Sequence, residues 1–155
     1  MFKQLLIAMV LVFGLSGCVT TVDGTSKPDH ELIQLSSLAA MTIMVNELDV
    51  SHAINVDTHA RLVILHNTLT CVESTTMPSC PPFQVHLLET MIANTLPPEY
   101  MGLGIAGVRL IRNRASLFLD EKMPDIENID IIKKVAASVV SGMMEALQLK
   151  IQMGA

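Results

Sequence analysis

Apolar residues recur at three- and four-residue steps along most of this 155-residue chain, and polar breaks divide the pattern into helical lengths. Pro28 to about Leu48 reads as the first. Ser26 stands where an N-cap is wanted, Pro28 falls in the first turn, and Asp29 and Glu31 follow where the helix dipole favours acids. Leu38 to Val45 (LAAMTIMV) is apolar on nearly every side, the mark of a helix buried centrally in a bundle. Asp49 to Thr58 leaves two readings open, a polar break or a more exposed continuation of helix. From Thr58 to about Thr70, Leu62, Val63, Leu65 and Leu69 restore helical spacing, with Asp57 as cap.

Beyond the polar stretch Val72 to Ser79, Pro81 and Pro82 suit the first turn of another helix with Ser79 as cap. Phe83, Leu87, Leu88, Met91, Ile92 and Leu96 follow at helical steps, and Pro97-Pro98 stops them. Val108, Ile111, Ala115 and Phe118 mark the next stripe. Arg109 and Arg112 lie outside it, and Gly102, Gly104 and Gly107 weaken helix at its start. The last pattern is the cleanest: Asp125 caps a stripe of Ile126, Ile129, Ile132, Val135, Ala136, Val139, Val140, Met143, Met144 and Leu147. No run alternates with period two between hairpin turns, so the expected class is all-α, a small antiparallel bundle of four to five helices with one disulfide. Arg109–Phe118 is the one segment where a strand is the alternative.

The first residues follow a different pattern. Met1-Phe2-Lys3-Gln4 carries one positive charge, Leu5 to Phe13 is unbroken apolar, and Leu15-Ser16-Gly17-Cys18 follows. The run is too short to span a bilayer and has the layout of a secretory leader. Leu15 to Cys18 resembles the lipobox of bacterial lipoprotein signal peptides at all four positions. The resemblance implies that Cys18 takes a diacylglyceryl group on sulfur, that the bond before it is cut, and that the new amino terminus is acylated with a fatty acid such as palmitate. Such a chain is held to the membrane through its lipid anchor. In this class an Asp after the Cys retains the protein at the inner membrane; here Val19 occupies that position, which implies the outer membrane, facing the periplasm. Residues 1–17 are then the removed signal peptide, 18–27 a lipidated Cys and flexible Gly-containing tether, and 28–155 a single helical domain. No later segment offers a second membrane span.

Composition narrows the function classes. Half the chain is hydrophobic and 16% is charged, which excludes a disordered protein. Aromatic residues make up 3%, with Tyr100 the sole tyrosine and no Trp, against sugar grooves and nucleic-acid stacking surfaces. Residues 18–100 carry a net charge of −7 and residues 101–155 a net of +1, too mild an asymmetry for nucleic acid. With Cys18 spent on lipid, Cys71 and Cys80 remain, and in an oxidising compartment two such thiols pair. A metal or redox role has no support from a Cys-x-x-Cys or a flanking His.

Four constellations invite a chemical reading, and each has a plainer one. Gly102-Leu-Gly104-Ile-Ala-Gly107 fits GxGxxG, but Pro97-Pro98-Glu99-Tyr100 precedes it where a strand would be needed, so a helix start or a close backbone approach is the expectation. His52, His59 and His66 recur every seven residues, about 10.5 Å apart along a helix, too far to share one metal ion. They form a polar edge or, alternatively, a pH-responsive stripe. Met41, Met44, Met91, Met101, Met143 and Met144 could suggest thioether copper ligands, yet their helical spacing among Leu, Ile and Val makes them core fillers. Arg109, Arg112 and Arg114 form a basic cluster expected to face away from the stripe.

No cofactor, metal site or catalytic residue is expected, and no enzyme motif is present. The expectation is a lipid-anchored periplasmic accessory, recruiting or assembly module for an envelope protein partner. In lipobox, tether, apolar helices and one Cys pair the chain resembles, in architecture only, the pilotins of type II secretion systems, which carry a secretin segment to the outer membrane. The alternatives are an immunity or exclusion lipoprotein that blocks a toxin, phage or plasmid at the envelope, and an envelope metal or ligand sensor using the His stripe.

Overall fold

Asp29, rather than Ser26, opens the first helix. In the computed structural model its carboxylate accepts a hydrogen bond from Leu32 N at 3.1 Å, and helix α1 runs His30–Glu47. The structure describes residues 18–20, 26–71, 80, 83–84, 87–115 and 125–154. Residues 1–17, where the leader is expected, lie outside them. Ser26 lies instead in a short ribbon in which β1 (Cys18–Thr20) pairs antiparallel with β2 (Ser26–Pro28), Cys18 opposite Pro28.

The open stretch from Asp49 to Thr58 resolves into both features at once. The break is confined to residues 48–51, and α2 (His52–Thr70) starts six residues earlier than the apolar spacing predicts. Ser51 caps it, accepting from Ile54 N at 3.4 Å. Asp57 is therefore not a cap; it sits one turn inside and pairs with Arg61 at 2.8 Å. The early turns hid from a hydrophobic reading because their buried positions are polar. Thr58 donates to Ile54 O at 2.7 Å, and Asn55 accepts from the Tyr100 hydroxyl at 2.5 Å, so neither buries an unpaired group.

Cys71, directly after α2, is joined to Cys80, with Cα atoms 5.7 Å apart. Reduction is expected to lower the melting temperature by roughly 10 °C while helical circular dichroism persists, since closing a loop of this size stabilises by ~2.5–3 kcal/mol. The next helix, α3, spans only Leu88–Thr95, with no side-chain cap. The expected start at Pro81-Pro82 is not realised: Phe83 and Gln84 are non-helical, Ser79, Pro81 and Pro82 lie outside the described residues, and Lys133 stands over the Phe83 ring at 5.9 Å. Pro97 and Pro98 end α3 as expected, and a single 3-10 turn, Pro98–Tyr100, leads into α4 (Met101–Ala115). The strand alternative for Arg109–Phe118 fails through Ala115; Phe118 lies outside the described residues.

Helix α5 (Asp125–Met153) is the axis of the bundle. Asp125 is its first residue rather than its cap, and Ile129 is exposed, so the enclosed part begins later than the stripe suggests. Residues 135–140 are buried without a break, which a helix achieves only when neighbours cover it on every side. Helices α1, α2 and α4 supply that cover, and α3 leans on α2 and α4. Centrality thus belongs to α5. Helix α1, apolar nearly all round, buries a narrow line of Ile33, Ser37, Met41 and Val45 and leaves Leu32 and Leu35 exposed.

The all-α class holds, in an up-down order. Consecutive helices run antiparallel, so the first and fifth share a direction, as three contacts confirm. His30 meets Ser138, Ser37 meets Gly142, and the carbonyls of Val45 and Leu48 meet the Lys150 ammonium. That ammonium, 2.5 Å from Val45 O, supplies the positive charge that the last turn of α1 lacks. Met41, Met143 and Gly107 meet where α1, α5 and α4 converge. Met41 and Met143 are core, as expected of them, and Met44, Met91 and Met144 pack against it; Met101 is exposed.

Candidate functional site

The glycines of the GxGxxG segment are packing devices within α4. A Cβ at Gly104 would lie 2.9 Å from Leu96 Cδ1, and one at Gly107 would lie 3.3 Å from Met143 Sδ. Their bare faces let α3 and α5 close on α4, the close backbone approach expected of the motif. Because α3 is only eight residues long, it covers α4 incompletely and leaves an apolar groove between the two.

This groove has a volume of about 300 Å³. Ile92 of α3, Leu96 at its C-cap, and Met101, Ile105 and Val108 of α4 form its apolar surface, with Met101 and Ile105 nearly half exposed. Glu89, Arg109 and Arg112 form the rim. Arg112 is paired with Glu89 across the groove, whereas Arg109 makes no ion pair among the described residues. The expected basic cluster is therefore two residues rather than three. Arg114 is 3% exposed, because it lies seven residues after Gly107 and three after Ile111, on the buried face.

A second, open cleft lies among α1, α2 and α5, and His30 and His66 line it with Ser138. Ser138 donates its hydroxyl proton to Lys134 O at 3.0 Å. Its 3.1 Å contact with His30 Nδ1 is then donated by the imidazole, which leaves Nε2 as an acceptor in the neutral ring. Burial, reinforced by Lys134, holds His30 below the ordinary histidine value despite Asp29 and Asp130. Burial alone does the same at His66. The unfolded chain consequently binds more protons than the folded one from about pH 6.5 downward, until the lowered folded values are reached, and stability falls with pH across that window.

Of the heptad-spaced histidines, His52 is exposed, and His59 and His66 are half-buried on one helix. Only His66 reaches the cleft. Among the described residues no group of three or more His, Cys, Asp or Glu side chains could hold a metal ion. Periodicity alone missed His30, since no neighbour in sequence ties it to His66; the two meet only because α1 and α2 flank α5. No known protein family, curated protein or solved structure matches this chain.

Proposed function

We propose that this protein is a lipid-anchored helical module of the bacterial envelope that recruits another protein by accepting one of its amphipathic helices in the α3/α4 groove. The carrying observation is the composition of that groove: an apolar floor bordered by two exposed arginines and a single acid already engaged by one of them. A helix with apolar residues at three- and four-residue steps and an acidic flank facing Arg109 complements it. Met101 at its mouth gives the surface the adaptability of an unbranched thioether. The lipobox resemblance at Leu15 to Cys18 and the Val after it support delivery to the periplasmic face of the outer membrane. The module lends its anchor to the partner, and the reading assigns it no catalytic step.

A photo-crosslinking side chain placed at Ile105 in the native host tests this, with the same substitution at the exposed Ile64 of α2 as control. The expected result is an adduct from Ile105 alone, mapped by mass spectrometry to an amphipathic helix of an envelope protein and weakened by Arg109→Glu. Equal adducts from both positions, or none, would contradict the reading. An adduct with a toxin or phage component would replace recruitment by exclusion.

A further inference from the structure

The second cleft shares no residue with the groove, and all its lining residues but Ala137 carry a polar group. It is open, about 390 Å³ in volume, and without a single carboxylate among its lining side chains, in a chain whose net charge is −5. The acids nearby are otherwise engaged. Asp29 caps α1, Asp130 pairs with Lys134 at 2.6 Å, and Glu145 accepts from Gln34 Nε2 at 2.6 Å. Along α2 there is no acid between His59 and Thr70, and its one cation there, Arg61, is held by Asp57.

What remains inside are groups able to donate to an anion. The His66 ring has no hydrogen-bond partner among the described residues. The Lys134–Asp130 pair is exposed on both sides, the kind of ion pair that contributes little and exchanges readily. His30 turns Nε2 from acceptor into donor on protonation. Three helices thus present an ammonium and two titratable imidazoles to one space.

We propose that the cleft between α1, α2 and α5 binds a small tetrahedral oxyanion, a sulfate or phosphate group contacted by Lys134, His30 and His66. Charge-assisted hydrogen bonds to such a group favour the protonated imidazoles, so binding tightens as pH falls below neutrality. The occupied cleft then offsets the acid destabilisation that the two partly desolvated rings produce when it is empty.

Histidine NMR on the full chain in non-ionic detergent at pH 5.5 tests the proposal, with sodium sulfate titrated against sodium chloride at equal ionic strength. The expected result is a saturable shift of the His30 and His66 ring signals with sulfate only, their titration midpoints moving upward while His52 and His59 stay in place. Lys134→Gln, at an exposed position, is expected to weaken binding about tenfold through loss of a hydrogen bond to a charged group. Repeating the titration with an anionic phospholipid in the micelles separates the sources. A response to sulfate assigns a free ion, and a response to the lipid alone assigns a headgroup phosphate. A response to neither overturns the proposal, as does a parallel shift of all four histidines, an equal effect of chloride, or unweakened binding by Lys134→Gln.

Discussion

Gly142→Ala is expected to destabilise the domain by about 2–3 kcal/mol, although alanine is the better helix former by ~1 kcal/mol. Gly142 sits in the enclosed part of α5 where α1 crosses it. A Cβ there would come within 2.6 Å of Ser37 Cβ, 2.7 Å of Leu38 N and 2.8 Å of Gln34 O. Two of these are backbone atoms, which cannot rotate away, so the helices themselves must separate. The pair that α1 and α5 form is the most extensive among the described helices, and the cost spreads along it. Gly102→Ala is the matched control, because a Cβ at Gly102 has nothing within 4 Å and should be neutral or stabilising by up to ~1 kcal/mol. Urea melts of the two variants check both signs. A Gly142→Ala protein as stable as the parent would mean that α1 and α5 do not cross so closely.

The second large effect is on location. With an ordinary cleavable leader in place of residues 1–17, Cys18→Ala is expected to move the protein from the membrane fraction to the soluble periplasm, folded and with an unchanged melting temperature. Each acyl chain contributes about 0.8 kcal/mol per buried CH₂, two chains suffice for stable anchoring, and three make release negligible. No described helix is long and apolar enough to cross a membrane. Fractionation with a periplasmic marker reads the result; retention of the Cys18→Ala variant with the membrane would place the attachment elsewhere.

The helical class, the proline stop after α3, the long last helix and the Cys71–Cys80 pair were legible because each has a local cause: spacing, a missing donor, or two thiols close in sequence. The misread boundaries had causes that are not local. Asn55 and Thr58 hid the start of α2, since their burial depends on Tyr100, 45 residues away, and on a backbone carbonyl. Helix α1 looked central because its apolar residues encircle it, whereas the unbroken burial of residues 135–140 shows that enclosure is decided by how many neighbours arrive. Arg114 could have been placed correctly by counting from Gly107 and Ile111. Gly142 and Ser37 carried a fainter signal, since each is one of several small residues in an apolar helix.

Of the candidate sites, the glycine segment was readable as packing because no strand precedes it. The groove it helps to create was not, since its existence depends on α3 being shorter than the apolar run from Phe83 to Leu96. The heptad histidines were visible but pointed to the wrong grouping. His66 belongs with His30 and Ser138, brought together by three helices rather than by one periodicity.

The most direct test is the mass of the amino-terminal peptide from protein extracted from its host's membranes. The account predicts a chain beginning at residue 18, with diacylglyceryl on the Cys18 sulfur and an acyl group on its amino nitrogen. A free Cys18 thiol within an intact leader, or in protein recovered from the soluble fraction, would contradict it.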